Sequence, residues 1–203
     1  MDIRGFTILI NFKEFIQFIS KRYLLWGEII EMERPLNQPI PKVEAKIPLQ
    51  ISLATPELLA NLTGWDVPFS RIQIMQKKIN DGYQCYVATN DNQIGGYCFV
   101  TAKNEHDPRS GLVVRPKPNE RYLFDLYVVK SLRNEGVAPA LMLAIFQILK
   151  DEGIETALGT VRRNNRIMLM MSTVMLRFKP IRVSKYIKIW WFAFVINTRP
   201  WKV

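Results

Sequence analysis

The sequence feature that most constrains the fold is a strand, a helix and a second strand that follow one another between residues 122 and 161. Tyr122–Val129 is rich in aromatic and β-branched residues, which favour a strand. Pro139–Glu152 carries apolar residues at helical spacing, and Gly153 is a typical helix terminator. Ile154–Val161 is again typical of a strand. A strand-helix-strand unit of this kind predicts an α/β domain in which helices pack against a sheet.

The rest of the chain predicts further strands and helices around this unit. The predicted strands are Glu28–Arg34, Ala45–Ala54, Tyr83–Thr89 and Ile94–Val100. The predicted helices are Phe12–Trp26, a short one opened by Thr55 as N-cap, Phe69–Asp81 and Asn165–Arg177. Pro180–Ile196 is an extended run that forms one bent strand or two. Two of these strands flank Asn90–Gln93, whose residues favour a hairpin turn. Because hairpins are antiparallel and strand-helix-strand units are typically parallel, the sequence predicts a mixed sheet.

Length and composition set the size and the charge of this domain. The 203 residues are 48% apolar, enough for one sizeable core and too few for two typical domains. The formal net charge is +10, but the last 42 residues hold ten lysines and arginines and no acidic residue. Residues 1–161 therefore carry 18 charges of each sign and are neutral. We expect any anionic partner to meet the C-terminal fifth of the chain rather than the whole surface.

The single histidine and the two cysteines limit the chemistry. His106 stands alone in a polar stretch, so a multi-histidine metal site and a histidine-based catalytic triad are not expected, and we predict no bound metal. Cys85 and Cys98 have no zinc-ligand spacing. With a two-residue loop at Asp91-Asn92, the hairpin places Cys85 opposite Cys98, close enough for a disulfide. Since nothing in the sequence indicates secretion, two reduced thiols in a cytoplasmic protein are favoured over the disulfide.

The N-terminal segment is apolar but is interrupted by charge. Four charged residues, at positions 13, 14, 21 and 22, break the run Phe12–Trp26, and no small-residue cleavage pattern follows. Neither a membrane span nor a signal peptide is therefore expected. Apolar residues recur on one stripe at helical spacing: Phe12, Phe15, Ile16, Ile19, Tyr23 and Leu24. We predict an amphipathic helix that packs on the domain, with binding to a membrane surface as the alternative.

The turn between the strand Tyr122–Val129 and the helix Pro139–Glu152 carries the strongest functional signal. Gly136 and Ala138 are small and stand where the helix begins, so several N–H groups without intrahelical acceptors point out of the sheet at one place. The positive end of the helix dipole lies there too, and Arg133 adds a cation at the mouth of the turn. A pyrophosphate is the natural ligand of such a site. The alternative is an ordinary strand-to-helix turn.

This turn and its surroundings resemble one known family. Arg133-Asn134-Glu135-Gly136-Val137-Ala138 is similar to the Arg/Gln-x-x-Gly-x-Gly/Ala coenzyme A loop of the GNAT N-acetyltransferase superfamily, and the strand ending at Tyr127-Val128-Val129 resembles the strand before it. Ile154–Val161 followed by Asn165, and a helix that ends at Arg177-Phe178, resemble the family's next strand, its asparagine and its closing Gly-Phe. With the central hairpin around Gly95-Gly96-Tyr97, the resemblance covers roughly residues 50–195 in the family's order.

The resemblance implies a single α/β domain with a mixed, mostly antiparallel sheet whose central strands splay apart and are flanked by helices. Residues 46–203 would form this acyl-CoA-binding acyltransferase domain, and residues 1–45 would add an N-terminal helix and strand. Acyl-CoA would lie in the V between the strands Tyr122–Val129 and Ile154–Val161. The resemblance assigns cofactor contacts to the main chain of Val128 and Val129, to the loop residues Arg133, Asn134, Glu135, Gly136, Val137 and Ala138, and to Asn165.

The implied reaction transfers an acyl group, from acetyl-CoA or a longer acyl-CoA, to an amine that attacks the thioester directly. The catalytic positions depart from the family pattern. Asp125 is the only carboxylate on a strand where family members often carry a glutamate, and it is a candidate base, substrate-cation ligand or structural aspartate. The family's acid is a tyrosine about seven residues after the asparagine, a position that Ser172 occupies here. Tyr127 and Tyr186 are candidate substitutes for that acid.

Two classes of function follow from these observations. In the first, the chain is an N-acyltransferase with an amine acceptor, and its basic C-terminal residues pair with coenzyme phosphates or recruit an acidic partner such as an acyl carrier protein. In the second, catalysis is weakened, and the basic end with Trp190, Trp191 and Trp201 binds an acidic carrier protein, a nucleic acid or an anionic membrane. The tryptophans also suit a core or a homodimer interface. We favour the enzyme, and we do not expect nucleic acid as its partner.

Overall fold

The structure is a computed structural model that describes residues 24–61, 69–91, 93–189 and 192–201. The strands in these ranges are β1 (Leu24–Pro35), β2 (Gln50–Leu53), β3 (Gln84–Asn90), β4 (Gln93–Thr101), β5 (Glu105–His106), β6 (Val113–Val114), β7 (Glu120–Val128), β8 (Thr156–Arg162), β9 (Lys179–Ile189) and β10 (Phe192–Pro200). The helices are α1 (Pro56–Asn61), α2 (Phe69–Asn80), α3 (Val137–Asp151) and α4 (Arg166–Met170), with a 3-10 turn at Lys130–Leu132 and a π-helical turn at Met171–Met175.

Eight of these strands form one sheet in the order β10-β9-β1-β8-β7-β4-β3-β2. Among its described neighbours, only β7 and β8 are parallel. The predicted single α/β domain with a mixed, mostly antiparallel sheet flanked by helices is therefore confirmed. β1 comes from the N-terminal part of the chain and lies inside the sheet, between β8 and β9.

Local sequence signals set the helix boundaries. The Leu58 N–H donates a hydrogen bond to the Thr55 hydroxyl at 3.1 Å, which caps α1 as predicted. Gly82 follows α2 with a φ of +81°, and Gly153 follows α3 with a φ of +80°. Glycine adopts this left-handed conformation without steric cost, so both residues end their helices.

Apolar residues pack on both sides of the sheet. Alternate residues of β3 belong to two different cores, because successive side chains of a strand point to opposite faces. On one side, Ile145 and Phe146 of α3 are fully buried against the sheet. On the other side, Met75 of α2 packs with Phe99 of β4. The sheet is therefore held between α3 and α2, and its central strands are fixed by both.

The predicted pairing of the two cysteines is wrong. Near the turn β3 and β4 follow the predicted register, but Gly95 is an extra residue in β4, and the register shifts between Ala88 and Thr89. Cys85 therefore faces Phe99, and Cys98 faces Tyr86. The two thiols lie in different cores, where they are free and buried, and burial raises the pKa of both.

Several other elements differ from their predicted bounds. The predicted helix Phe12–Trp26 lies mostly outside the described residues, and its last residues, 24–26, belong to β1, where they pair with β9. The predicted strand Ala45–Ala54 shortens to Gln50–Leu53, because residues 36–49 form a connector without regular structure. The run Pro180–Ile196 forms two strands, and the predicted helix Asn165–Arg177 becomes α4 followed by the π-helical turn.

Candidate active site

The central feature of the molecule is a V-shaped cleft where β7 and β8 separate. These parallel strands pair over four residues, ending with Leu123 opposite Gly159, although both strands continue. Where the pairing ends, the hydroxyls of Tyr122 and Thr160 share a hydrogen bond of 2.7 Å. Beyond it opens a cleft of about 730 Å³, with walls from both strands, α3, α4 and the loop that carries β5. A cleft of this volume is large enough for a small-molecule ligand.

A bulge in β7 brings Asp125 to this cleft. Phe124 pairs with Phe99 and Tyr127 with Tyr97, so two residues of β7 stand opposite Cys98 alone. Asp125 takes a left-handed conformation there, with a φ of +48°. An aspartate tolerates this conformation better than most residues. The bulge therefore gives the strand one carboxylate that lines the cleft.

Two side chains from other elements hold the Asp125 carboxylate. Arg71 of α2 lies 3.5 Å away, and the Tyr97 hydroxyl of β4 donates to it at 3.4 Å. Arg71 also donates to the Tyr97 oxygen at 2.7 Å, so the three groups form one network. Burial raises the pKa of Asp125, while Arg71 and Tyr97 oppose that shift. The carboxylate is still 39% exposed, and therefore remains open to a ligand in the cleft.

The other predicted catalytic residues divide between the cleft and its surroundings. Ser172 lies in the π-helical turn, is almost fully buried and lines the cleft. Tyr127 instead stacks on the Tyr97 ring at 5.6 Å, under the Arg71 guanidinium, and it is not part of the cleft wall. Tyr186 is buried on β9, also outside the wall. Of the predicted catalytic residues, Asp125 and Ser172 thus line the cleft.

The predicted coenzyme loop begins where β7 ends. A 3-10 turn at Lys130–Leu132 leads to Asn134 and Gly136, which have φ values of +70° and +81°. α3 then starts at Val137, and no side chain caps it. The first N–H groups of an α-helix have no intrahelical acceptor, so this start presents donors and a positive dipole end to an anion. That this turn binds a pyrophosphate stays a prediction.

The two residues predicted to bind a cofactor through their main chain differ. Val129 uses both of its groups internally, because its N–H donates to Gly95 at 3.0 Å and its carbonyl accepts from Leu132 at 3.1 Å. By the alternation of a strand, the main-chain groups of Val128 point the other way, away from β4. Its carbonyl accepts from Arg133 Nε at 3.3 Å. Only Val128 can therefore present its main chain to a ligand as predicted.

The connector of residues 36–49 packs on this loop, a contact that no local sequence pattern predicts. The Lys46 N–H donates to the Glu135 carbonyl at 2.8 Å, and the Lys46 ammonium lies 3.8 Å from the Glu135 carboxylate. A β-carbon at residue 136 would stand 3.1 Å from the Ala45 α-carbon. The small size of Gly136 is therefore required by the chain itself, as well as by its positive φ. Lys46 is an added cation beside the predicted pyrophosphate site.

The second wall of the cleft begins at Asn165. Its side-chain oxygen accepts from the Met168 N–H at 3.3 Å, so it caps α4, and the residue also lines the cleft. The wall closes at Phe178, whose N–H donates to the Ser172 carbonyl at 2.8 Å. Arg177, which stands where the family has glycine, has a φ of +56°. The turn thus keeps a glycine-type backbone without a glycine.

The described residues also show whether metal ligands cluster and whether a helix could span a membrane. His106 lies in β5 and its exposed side chain contributes to the cleft wall. Within residues 24–61, 69–91, 93–189 and 192–201, no three His, Cys, Asp or Glu side chains come together as metal ligands. None of the helices in the same ranges is long and apolar enough to cross a membrane.

Comparison with protein families gives one match. The model of the acetyltransferase (GNAT) family matches residues 54–169, which include the hairpin, β7, the loop, α3, β8 and most of α4. No curated protein matches the sequence significantly. The matched range is more than half of the chain.

Solved structures share the fold at low sequence identity. A protein from Novosphingobium aromaticivorans assigned to the GNAT acetyltransferases is 12% identical, with a TM-score of 0.57 over 87% of this chain and 68% of its own. A GCN5-related N-acetyltransferase from Sphaerobacter thermophilus is 15% identical, with a TM-score of 0.51 over 93% and 56%. A tandem GNAT protein of the clavulanic acid biosynthesis pathway is 14% identical, with a TM-score of 0.52 over 86% and 53%. The chain thus spans between half and about two thirds of these proteins.

Proposed function

The chain belongs to the acetyltransferase (GNAT) family, and we propose that it transfers an acyl group from acyl-CoA, most simply acetyl-CoA, to an amine acceptor. The GNAT fold uses acetyl-CoA as donor and binds amine acceptors. One observation carries the proposal for this chain: β7 and β8 pair over four residues and then separate, and β7 leads directly into an uncapped helix start. The same strand therefore borders a space for a thioester and ends at donors for a pyrophosphate.

The coenzyme would be held mainly by main-chain groups. The N–H groups of the loop Asn134–Ala138 and the positive end of α3 would bind the pyrophosphate, with Arg133 and Lys46 as nearby cations. The main chain of Val128 would bind the pantetheine arm as an added strand does. Asn165, on the opposite wall, would contact the same arm. The site residues that the chain offers fit this cofactor, since donors and cations predominate where its phosphates would lie.

The chemical step would use Asp125 as base. The amine nitrogen attacks the thioester carbonyl carbon, the carbon–sulfur bond breaks, and the coenzyme leaves as a thiolate. Asp125, directly or through a water, takes the proton that the attacking amine loses; its raised pKa suits this role, because the carboxylate is then a stronger base. Ser172 can donate a hydrogen bond to the sulfur, but a serine hydroxyl does not supply a proton near neutral pH. The thiolate is therefore protonated by water.

A binding experiment tests the coenzyme site. At roughly a hundredfold excess over its dissociation constant, acetyl-CoA is expected to stabilise the folded chain by about 2.7 kcal/mol, which a thermal melt detects. Ala138→Glu places a carboxylate at the helix start, one turn before Met142 of the cleft wall. The variant is expected to abolish the stabilisation by acetyl-CoA, because the new carboxylate repels the pyrophosphate. The free protein is expected to stay folded, because an acidic residue in the first helical turn interacts favourably with the helix dipole.

Ala138→Gln is the matched control. It adds nearly the same volume without the charge, so it is expected to keep part of the shift. Gly136 is unsuitable for this purpose, because a side chain there meets Ala45 in the free protein. Unchanged affinity in Ala138→Glu, or no shift with the unaltered chain, would contradict the proposed site. Transfer of a radiolabelled acetyl group to a panel of primary amines then identifies the acceptor class.

A further inference from the structure

One face of the sheet edge formed by β1, β9 and β10 is apolar and exposed. Trp26 is 75% exposed, Phe192 57%, Phe194 54% and Ile189 48%. The strand registers place these residues in two rows, in which Trp26 and Phe194 flank Ile187, and Leu24 and Phe192 flank Ile189. We call this set the aromatic face: Leu24, Trp26, Ile187, Ile189, Phe192 and Phe194. Exposed apolar surface of this extent on a soluble domain marks an interaction site.

The aromatic face continues the helix-covered side of the sheet. Further along the same strands and on the same side, Ile30 and Val183 are buried in the core that α3 covers. The opposite side is covered in part at this end, because Gly111 packs against the main chain of Ala193, and Lys188 donates to the Pro108 carbonyl at 3.0 Å, while Leu25 stays 46% exposed there. In the part of the chain that the structure describes, the aromatic face has the larger exposed apolar surface of the two sides.

The border of the aromatic face is positively charged. Glu28 lies in the next position on the same side of β1, and Arg163 and Arg199 contact it at 2.5 and 3.7 Å. Lys185 stands opposite Glu28 in the sheet. These cations lower the pKa of Glu28, with the Arg163 hydrogen bond as the main cause. Three cations around one carboxylate leave a net charge of +2 beside the apolar residues.

We propose that the aromatic face binds the surface of an anionic lipid membrane. Aromatic side chains favour the interface between headgroups and acyl chains, and basic side chains beside them attract anionic headgroups. In the sequence, Trp190 and Trp191 stand between the two strands that carry most of this face, and the last 42 residues hold ten basic residues and no acidic one. A second copy of the chain would present the same +2 border and repel it. The inference does not rest on the proposed acyl transfer.

Vesicle sedimentation with the full chain tests this proposal. Vesicles of phosphatidylcholine with about 30% phosphatidylserine are expected to bind the chain, and binding is expected to weaken as salt rises. Vesicles of phosphatidylcholine alone are expected to bind it less. The double variant Phe192→Ser with Phe194→Ser removes two exposed rings and is expected to lower partitioning about tenfold or more. Leu53→Ser, at the opposite edge of the sheet and 45% exposed, is the matched control and is expected to bind as the unaltered chain does.

A charge variant distinguishes binding to anionic lipid headgroups from adsorption through apolar contacts alone. Lys185→Gln with Arg199→Gln is expected to reduce binding to the phosphatidylserine vesicles and to leave binding to phosphatidylcholine unchanged. Equal binding to both vesicle types, or full binding by the phenylalanine double variant, overturns the proposal. A dimer of the unaltered chain that the phenylalanine double variant dissociates, while vesicles bind neither the unaltered chain nor the variant, also overturns the proposal. It would identify a second copy of the chain as the partner. A large loss of thermal stability in the phenylalanine double variant would also overturn the proposal, since the aromatic face would then be covered by the chain itself.

Discussion

The two walls of the cleft hold their functional groups in different ways. The first wall is β7 with the loop that leads into α3, and besides the Asp125 side chain it offers main-chain groups: Val128, the turn around Gly136 and the uncapped helix start. The second wall is β8 with α4 and the π-helical turn, and it offers side chains, Asn165 and Ser172. The first wall has a glycine, Gly136, at the left-handed position where α3 begins, whereas the second wall has Arg177 at the left-handed position where its turn ends. In the proposed function, backbone groups would therefore bind most of the coenzyme, and a side chain, Asp125, would carry out the proton transfer.

This difference explains why the catalytic centre differs from the family pattern more than the loop does. A main-chain site needs only small residues and a turn, so many sequences can form it. A proton-transfer site needs particular side chains held by others, and here Asp125 depends on Arg71 from α2 and Tyr97 from β4. In the proposed function, the chain would therefore keep the backbone site for the coenzyme and use a different set of side chains for the base. Three changes test this comparison.

Asp125→Asn is expected to have the largest effect. If Asp125 is the base, turnover falls by roughly 10²–10⁴-fold, while acetyl-CoA binding by the first wall stays nearly unchanged. In the unaltered protein, kcat/KM is then expected to rise with pH as Asp125 loses its proton, and because burial raises the pKa of Asp125, this acidic limb is expected at higher pH than for an ordinary aspartate. The limb is expected to disappear in the variant. Steady-state rates across pH and a coenzyme titration measure both effects.

Asparagine suits this test because it keeps the shape of aspartate and tolerates the φ of +48°. Asp107→Asn is the matched control: this carboxylate also lines the cleft, but it bonds to the Ser110 hydroxyl and the Arg109 N–H. It is expected to leave the acidic limb in place. Full activity of Asp125→Asn would assign the base to water, and unfolding of the variant would make Asp125 a structural residue.

The sequence predicted best what depends on neighbouring residues. The order of strands and helices, the Thr55 cap and the turn around Gly136 follow from patterns of a few adjacent positions, and the structure has them. It failed where one residue changes a register, as Gly95 does when it moves Cys85 away from Cys98. The Arg71 network and the connector at Ala45 join segments that are far apart in sequence, so no local pattern could reveal them.

Gly136→Ala is expected to have the next largest effect, on stability rather than on rate. Gly136 and Gly153 flank the two ends of α3 with almost the same φ, +81° and +80°, but only at Gly136 would a β-carbon meet another segment, Ala45 at 3.1 Å. Gly153→Ala is expected to cost about 1 kcal/mol for its backbone alone. Gly136→Ala is expected to cost about 2 kcal/mol more, since the connector must shift. Urea unfolding compares them, and equal losses would show that the connector yields freely.

Arg177→Gly is expected to have the smallest effect, and it tests the second wall's departure from glycine. Arg177 has a φ of +56°, which strains any residue with a β-carbon. Burial is the main cause that lowers the pKa of Arg34, and the charge of Arg177 adds to it. Glycine removes the strain but adds freedom to the unfolded chain, so the expected gain in the free energy of unfolding is about 0.5–1 kcal/mol, or roughly 1–4 °C in Tm. Arg177→Ala removes the charge and keeps the strain. A gain with alanine equal to that with glycine would assign the whole effect to charge, and the backbone of this turn would then be unstrained.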